Sequence, residues 1–460
     1  MNPLKAQTSY DSTLNQVLTF KEFYQQIVRN HPVARQAQLF LEEADQEIRI
    51  QKGNFDPKLA LNYDRKEFDE KVYFNTFDSK VKVPVWAAEI YAGFKQNHGV
   101  FLNPENYISD PAGQGQIGIS IPITQSIIVN TRRAALEQAR YLRDISENER
   151  IKLTNKLLLS AAKDYWEWYF QFRSYQLLDS AYRFASQQLA GVKTRVALGE
   201  LAAIDSVQAL VTFQNRGIEL QQASINLKNA RIRISYYLWN ENQEPLELRE
   251  EIVPQIELNS LRLISDNRLE ELKSFAQNNH PELQKLRLKL AQLQIDEKVS
   301  RSQLLPQIEL DYTLYSNTAK INENTNFSPA ENYQIGVNFN FPLFLRKERG
   351  KLQKVQIKQD QTNLDLQAQE RDILNQIDVA FNELQNIRDL IDRQSQIVQN
   401  YRRLRDGELR KFINGESDLF LINSRENSLI DGQIKLESLK SKLEKTYQEL
   451  IWSSGKPMWE

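Results

Sequence analysis

Two acidic residues, Glu309 and Asp311, alternate with apolar residues in a short segment of the sequence. Asn338 and Asn340 alternate with apolar residues in the same way further along the chain. Alternate side chains of an extended strand lie on one face, so each segment predicts a strand with one polar and one apolar face. Carboxylates on such a face attract cations, and the chemistry that these residues indicate is a mild preference for cations.

The sequence contains little material for a catalytic or cofactor site. It has no cysteine, which excludes disulfides, thiolate metal sites and cysteine nucleophiles, and it has only 3 histidines. Two of them, His31 and His280, stand directly before proline and are interpreted as residues at helix starts. There is no glycine-rich phosphate loop and no nucleophile elbow. We therefore expect no enzyme activity, no metal and no cofactor.

The composition limits the possible partners. Lys plus Arg (59) and Asp plus Glu (60) nearly cancel, so no overall field favours nucleic acid. No segment approaches the roughly 20 apolar residues of a membrane-spanning helix, so any contact with a bilayer would be made by strands. Residues Met1 to Leu14 are polar and lack an apolar signal core. Either the protein stays inside the cell or a signal was trimmed or missed.

The elements that position these residues occur twice along the chain. Asn30-His31-Pro32 and Asn279-His280-Pro281 each open an amphipathic helical run that leads to a proline and an alternating segment. We predict two structural repeats, 1–240 and 241–460. The predicted strands lie at about 57–65 and 114–123 in the first repeat and at about 306–315 and 333–343 in the second.

Each repeat also contains a segment typical of a very long helix. Arg132 to Leu198 has no proline and one glycine, Gly191, and an uninterrupted helix of this size is on the order of 100 Å long. Lys351 to Ile413 is its counterpart. A glycine turn follows each, near 199 and near 415, and returning helices are expected over 203–239 and 418–452. The sequence predicts two long antiparallel helical hairpins.

Two architectures fit the alternating strands: a sheet over a core, or a membrane barrel with lipid outside and water inside. The charged side chains of Glu309 and Asp311 favour the membrane barrel, in which they would face a water-filled lumen. Four strands cannot close such a barrel, so several chains must share it. Arg65 to Gly113, where the first repeat has extra residues, is interpreted as a long surface loop with some strand content, away from the helices. Asn317 to Asn332 is its shorter counterpart.

Together these segments resemble the TolC-type outer membrane efflux protein family over nearly the whole chain, from Leu18 to Trp452. The segments that resemble the family are Leu18–Phe23 with Asn30–Pro32, Leu304–Leu310, Phe339–Phe344, and Gly199–Asp205 with Val207 and Ala209.

The family resemblance implies a mainly α-helical fold with a membrane β-barrel part. Three chains would contribute four strands each to one transmembrane barrel in the outer membrane. Their helical hairpins would form a trimeric α-barrel across the periplasm, with segment 241–279 in an equatorial band. The implied function is a passive exit duct for drugs or secreted proteins, joined to a periplasmic adaptor and an inner-membrane transporter. Cargo and transporter class are left open.

The resemblance also assigns the hairpin tips to adaptor contact and to closing the duct. The candidate tip residues are Gly199, Glu200, Asp205, Gly415, Glu416 and Asp418. An alternative is that the acids only stabilise the N-termini of the returning helices. Some members gate the entrance with tyrosine, arginine and aspartates, but here the equivalent positions are Phe412, Ser417, Leu421 and Ser424. Those gating bonds are therefore not expected in this chain.

Two other clusters have simpler interpretations. Arg132 and Arg133 follow Asn130, where many relatives have aspartate, and are expected at the membrane-proximal end of the long helix, near lipid head groups or acids. The aromatic cluster from Tyr165 to Tyr175 is interpreted as packing between helices. The competing hypothesis for the whole chain is a non-membrane structural coiled-coil protein, which leaves the strands unexplained. An adaptor is a third hypothesis, but no lipoyl-like domain is visible.

Overall fold

The computed structural model describes residues 17–101, 113–125, 129–256, 264–316 and 327–459. The chain forms two compact units. The helical unit consists of Met1–Phe40, Asn148–Gln284 and Ala368–Glu460, and the sheet unit consists of Leu41–Glu147 and Lys285–Gln367. Each unit contains residues from both predicted repeats. The division into 1–240 and 241–460 stays a prediction about the sequence repeat.

Eight helices and eight strands are described. The helices are α1 (Phe20–Asn30), α2 (Pro32–Gly53), α3 (Thr131–Ala197), α4 (Ala203–Ser235), α5 (Asp266–Asn279), α6 (Pro281–Ser302), α7 (Arg346–Ile413) and α8 (Leu419–Ser453). The strands are β1 (Val17–Leu18), β2 (Lys58–Phe68), β3 (Lys71–Val85), β4 (Ala88–His98), β5 (Gln114–Pro122), β6 (Val253–Pro254), β7 (Gln307–Tyr315) and β8 (Tyr333–Asn340).

The long helices begin and end within a few residues of their predicted boundaries. α3 has 67 residues and α7 has 68, and each is followed by a short turn and a returning helix, α4 or α8. Proline is absent from both long helices and glycine is rare, so nothing interrupts the hydrogen-bond ladder. Among the described residues, no helix is both long enough and apolar enough to cross a membrane.

The sheet unit contains one six-stranded antiparallel sheet in the order β2-β3-β4-β5-β7-β8. The four predicted strands are β2, β5, β7 and β8. The expectation of four strands per chain was too low, because β3 and β4 form a hairpin inserted between β2 and β5. For 65–113, the expected strand content was right, but the interpretation as a surface loop away from the helices was wrong over Lys71–His98. This range is almost entirely strand, and the turn between β3 and β4 contacts Asn130, just before α3. Residues 102–112 and 317–326, parts of the two expected loops, lie outside the described residues.

A single residue explains much of this error. Pro84 interrupts the alternating run from Lys80 to Val85, and proline is normally confined to edges or ends of strands because it has no N–H. In the structure, β2 pairs with β3 only as far as Lys82. The missing N–H of Pro84 therefore leaves no β2 carbonyl without a partner.

The core of the helical unit surrounds the aromatic cluster of α3. Tyr165, Trp168 and Tyr169 are at most 1% exposed, and they pack with Phe23 and Ile27 of α1. The Tyr165 hydroxyl donates to the Leu18 carbonyl at 2.8 Å, and the Tyr169 hydroxyl donates to Glu437 at 2.7 Å. The interpretation of this cluster as packing agrees with the structure. The equatorial segment contributes β6, which pairs in parallel with β1, and α5; residues 257–263 lie outside the described residues.

Candidate functional site

The polar face of the sheet unites the four strand residues that the sequence singled out. Glu309 stands opposite Asn338, and Asp311 stands opposite Gly336, across β7 and β8. The Asn338 side chain donates to the Asp311 carboxylate at 3.0 Å. On the other side, Ser120 Oγ of β5 donates to Glu309 at 2.5 Å. Asn340 lies two positions beyond Asn338 on the same face, opposite Gln307.

The inserted hairpin adds charged residues to this face that sequence reasoning missed. Lys80 forms an ion pair with Asp78 at 2.9 Å, and Lys82 forms one with Glu89 at 3.2 Å. Asp78 also accepts a hydrogen bond from Gln116 of β5 at 2.6 Å. The alternation of lysine and valine from Lys80 to Val83 is the sequence pattern that indicates a strand here. It did not lead to a predicted strand because the segment was interpreted as a loop with some strand content.

Side chains on the polar face reach across intervening strands. The Tyr91 ring of β4 covers Gly118 of β5, where an added Cβ would lie 2.3 Å from Tyr91 Cζ. The Tyr91 hydroxyl then meets Thr313 Oγ1 of β7 at 2.6 Å. Contacts between next-but-one strands require that side chains on this face converge. The sheet is therefore concave on its polar side.

An open cavity of about 710 Å³ lies on the polar face where the strands approach α3. Its lining includes Glu89, Ser120, Glu309, Asn338 and Arg132. Arg132 Nη2 lies 3.9 Å from Glu89, a weak ion pair at this distance. The cavity walls thus combine two carboxylates with one guanidinium, an arrangement that suits hydrated ions better than an apolar ligand.

Arg132 and Arg133 occupy the first turn of α3. Their backbone N–H groups donate to Asn130 Oδ1 at 2.9 and 3.1 Å, so Asn130 caps the helix as an aspartate would. The Asn130 amide also donates to the Trp86 carbonyl at 2.6 Å. Arg132 has the acid partner that was expected, Glu89. Arg133 is exposed.

The opposite face of the sheet is apolar across all six strands. From β2 to β8, one row of directly opposed residues contains no charge. This row is Leu59, Val81, Ala92, Ile117, Leu314 and Tyr333. A sheet with one concave polar face and one continuous apolar face has the pattern of a membrane barrel wall.

The two hairpin tips have the same glycine geometry. Gly199 and Gly415 have φ of 76° and 79°, a conformation that favours glycine. At the first tip, the N–H groups of Gly199 and Glu200 donate to Val196 and Arg195; at the second, Gly415 and Glu416 donate to Phe412 and Lys411. This is the Schellman arrangement, which satisfies the last carbonyls of a helix.

The tip acids divide into two that cap returning helices and two that lie exposed at the turns. Asp205 accepts the Ala202 N–H at 3.1 Å and Asp418 accepts the Leu421 N–H at 2.8 Å, so both cap returning helices. Glu200 accepts from Arg195 Nε at 3.1 Å. Glu416 is exposed at the turn. Capping therefore accounts for Asp205 and Asp418, and Glu200 and Glu416 are the better candidates for contact with a partner.

The tips of the two hairpins meet within the helical unit. Val192 of α3, Ala209 of α4 and Leu419 of α8 form a small buried cluster, and Phe412 of α7 packs against it. The Arg195 guanidinium lies 5.0 Å from the centroid of the Phe412 ring. Sequence reasoning noted Phe412 as a departure from the family's gating residues, but it did not identify Arg195, because the two are far apart in the chain.

One side of α4 is an exposed apolar row with a seven-residue period. Its members are 48–68% exposed: Ile204, Val211, Ile218, Ile225 and Ile232. On the opposite side a second row with the same period, Ala209, Arg216, Ala223 and Ala230, is buried. A sustained seven-residue apolar repeat is the signature of a seam between helices, and within the described part of the chain only one side of α4 is buried against a neighbour.

Comparison with known proteins shows which fold the chain shares and which family it resembles. No curated protein matches the chain. The Neisseria gonorrhoeae MtrE outer membrane channel in its open state is similar over 99% of this chain and 95% of its own, with a TM-score of 0.71 and 13% identity. The Vibrio cholerae outer membrane protein VceC is similar over 95% of this chain and 96% of its own, with a TM-score of 0.66 and 14% identity.

The Campylobacter jejuni CmeC outer membrane channel has the same fold over 95% of this chain and 85% of its own, with a TM-score of 0.67 and 14% identity. At such identities the likeness concerns the fold. The family evidence is the match of residues 272–452 to the model of the outer membrane efflux protein family. This match and the shared fold together confirm the resemblance to the TolC-type family of outer membrane efflux proteins that the sequence indicated.

Proposed function

We propose that three copies of the chain form an outer membrane duct that passively conducts small molecules or proteins out of the periplasm. The duct is the exit component of a tripartite efflux or secretion system, fed by a periplasmic adaptor and an inner-membrane transporter. The match of residues 272–452 to the outer membrane efflux protein family and the fold shared with outer membrane channels support the general role. What we propose beyond this role is that conduction is passive, that three copies assemble, and that the partners are an adaptor and an inner-membrane transporter.

One observation supports this function above all others: the sheet has a continuous apolar face and a concave, charged one. In lipid, an apolar exterior and a polar interior stabilise a barrel, whereas a soluble sheet would bury its apolar face against a core. Leu61 and Val337, on the edge strands, are 59% and 65% exposed. No described part of the chain covers these two side chains.

The strand order supports assembly from several copies. β2 and β8 end the sheet, and each has one edge that no described strand pairs with. Unpaired backbone groups cost several kcal/mol each in hydrocarbon, so a sheet in a membrane must close. The β8 edge of one copy and the β2 edge of the next supply each other's missing hydrogen bonds. The number of three copies comes from the family resemblance.

The exposed row of α4 supports the same assembly in the helical part. Ile204, Ile218 and Ile232 are each at least 67% exposed, which is unfavourable for a monomer in water. A helix of a neighbouring copy would cover this row and complete the seam. We assign the contact with the adaptor to the hairpin tips. The exposed carboxylates of Glu200 and Glu416 can accept hydrogen bonds or form ion pairs there.

The test is the mass and shape of the detergent-extracted protein, followed by its conductance. Light scattering corrected for detergent, with negative-stain microscopy, should give three copies in a long hollow particle. In planar bilayers the particle should conduct ions without any energy source. A monomer or dimer that is soluble without detergent would refute the duct and favour the structural coiled-coil alternative.

A further inference from the structure

We infer that the hairpin β3–β4, Lys71–His98, is part of the membrane-spanning wall, with its apolar face against lipid, so that each chain contributes six strands instead of four. The inference rests on the proposed function and concerns a different question, namely which residues contact the bilayer. The alternative is that the hairpin lies outside the membrane as a surface extension while β2 pairs with β5.

Strand pairing places the hairpin inside the sheet. β3 pairs with β2 from Lys71 to Lys82, with one irregularity between Lys66 and Glu67. On the other side, β4 pairs with β5 from Glu89 to Lys95. β2 and β5 are therefore separated by two complete strands. β3 has 15 residues and β4 has 11, and a strand needs about 9–11 residues to cross a bilayer.

The direction of the hairpin shows that it runs the full height of the sheet. β2 begins just after α2 and β5 ends just before α3, which defines the helix end of the sheet. The turn between β3 and β4 lies at this same end, because the Trp86 carbonyl accepts the Asn130 amide at 2.6 Å. Glu89 lies 3.9 Å from Arg132 there. A surface extension at the other end would have its turn far from α3.

The apolar face of the hairpin continues the apolar face of its neighbours. Val81 lies between Leu59 and Ala92 in the paired register, and Ile90 stands opposite Ile119. Val81 and Ile90 are 44% and 41% exposed, close to the 43% of Ile117 in β5. The lysines of the hairpin lie on the other face, where they do not meet hydrocarbon.

Exposed aromatic residues mark both ends of this apolar face. At the helix end they are Trp86, in the hairpin turn, and Phe339 and Phe344, in the second repeat. At the other end it is Tyr333, the first residue of β8. Aromatic side chains flank the apolar band of membrane barrels at both interfaces. Trp86 thus places the hairpin turn at the level of the inner interface.

The consequence concerns the class of solute that the membrane part admits. Six strands from each of three chains make eighteen, where four from each would make twelve. Barrel diameter grows roughly linearly with strand number, so the lumen is about 1.5 times as wide. A barrel of this size leaves an aqueous channel, and the barrel wall itself does not exclude bulky cargo.

The experiment uses nitroxide labels on single cysteines, which is straightforward because the chain has no cysteine. The labelled full-length variants are Val81→Cys and Lys82→Cys in the hairpin, with Val337→Cys and Asn338→Cys in β8 as matched controls. Each is reconstituted in phosphatidylcholine bilayers, and power saturation compares collisions with oxygen and with a water-soluble nickel chelate. Oxygen accumulates in the hydrocarbon, whereas the nickel chelate stays in water.

We expect Val81→Cys and Val337→Cys to show oxygen accessibility above nickel accessibility, and their two neighbours to show the reverse. If Val337→Cys is lipid-exposed but Val81→Cys is nickel-accessible, the hairpin is outside the membrane and the inference is wrong. If both valine positions are nickel-accessible, the membrane barrel itself is wrong, and the proposed function fails with it. The two failures are therefore distinguishable.

A disulfide test checks the strand order independently of lipid. Ala92 and Ile117 are directly paired across β4 and β5, so Ala92→Cys/Ile117→Cys should cross-link within one chain. Leu61→Cys/Ile117→Cys should not, since three strand spacings separate them by about 14 Å. The opposite outcome, a Leu61–Ile117 cross-link without the Ala92–Ile117 one, would show that β2 pairs with β5 and would overturn the inference.

Discussion

His31 and His280 have matching roles at equivalent places in the two repeats. His31 Nδ1 accepts the Val33 N–H at 3.2 Å, and His280 Nδ1 accepts the Glu282 N–H at 3.2 Å. Each therefore caps a helix as a neutral imidazole. Burial lowers the pKa of both, and it lowers the pKa of His280 to about 4. The prediction that these residues stand at helix starts agrees with the structure.

This arrangement predicts a loss of stability in mild acid. In the unfolded chain His280 takes up a proton near its ordinary pKa of 6.5, but in the folded protein it does so only near pH 4. The unfolded state therefore binds more protons between these values, and stability falls as pH decreases through this window. The melting temperature of the detergent-solubilised protein should fall from pH 7 to pH 4.5.

The test variant is His280→Asn, with the wild-type protein as control. Asparagine can cap a helix without titrating, so His280→Asn should flatten the decline with pH. A wild-type melting temperature that is constant over this range would contradict the role assigned to His280.

The charges of the polar face predict a second result. Glu309 and Asp311 favour cations, but Lys80 and Lys82 lie on the same face and oppose them. Glu309→Gln/Asp311→Asn should shift the reversal potential in planar bilayers towards anion preference, and Lys80→Gln/Lys82→Gln should shift it towards cation preference. Asn340→Gln, which changes no charge, is the control. Unchanged selectivity in both double variants would show that these residues do not face the conducting path.

Sequence reasoning succeeded for residues whose signal was local. Alternation along a single strand placed Glu309 and Asp311 on one face, and the proline that directly follows each histidine identified His31 and His280 as residues at helix starts. It failed for Glu89, Arg195 and Gln116. Their roles depend on partners from distant segments, Arg132, Phe412 and Asp78, and only the tertiary fold brings these pairs together.

At the scale of elements, each glycine turn predicts a specific cost of substitution. Gly199 and Gly415 have positive φ, so alanine there is strained by about 1 kcal/mol or more per turn. Gly191 lies inside α3 with nothing within 4 Å of an added Cβ, so alanine there should be neutral or stabilising. Thermal melts should give lower midpoints for Gly199→Ala and Gly415→Ala, but not for Gly191→Ala. Equal midpoints for all three would argue against the Schellman turns.

The contact of Tyr91 with Gly118 predicts that the inserted hairpin is held by close packing. In Gly118→Ala the new Cβ would lie 2.3 Å from Tyr91 Cζ, which displaces the ring and removes its bond to Thr313. In the control Gly336→Ala the nearest atom, Asp311 Cβ, is 3.5 Å away, an ordinary contact. Only Gly118→Ala should lower the temperature at which the folded form is lost on semi-native gels. If both variants behave alike, the Tyr91 contact is not structurally important.

The elements differed in how far the sequence could predict them. α3, α4, α7 and α8 were predictable because helical periodicity extended over tens of residues and because a glycine turn follows each of the two long helices, α3 and α7. The hairpin β3–β4 was not, because Pro84 weakened its strand pattern and the repeat comparison placed it in unmatched residues. The segment of the second repeat that corresponds to 65–113 is shorter, but this does not show that the additional residues of the first repeat form a loop.

At the scale of the whole molecule, the exposed row of α4 predicts how the assembly can be broken. Ile218 is 67% exposed in the single chain and would be buried between copies. Ile218→Asp places a charge in that seam and should convert the assembly to single chains, a change that light scattering measures directly. Ile218→Val retains an apolar side chain and should leave the assembly intact. An intact Ile218→Asp assembly would show that this row faces something other than a second copy.

The open edges of the sheet have a further consequence for inheritance. Among the described strands, β2 and β8 each have one unpaired edge. In the proposed duct these edges join neighbouring copies, so a defect at an edge of one chain affects the barrel that its normal neighbours help to form. In a cell that makes equal amounts of normal and edge-defective chains, only about one in eight randomly formed three-chain assemblies contains normal chains alone. Edge mutations should therefore be dominant, whereas mutations that simply prevent a chain from folding should be recessive.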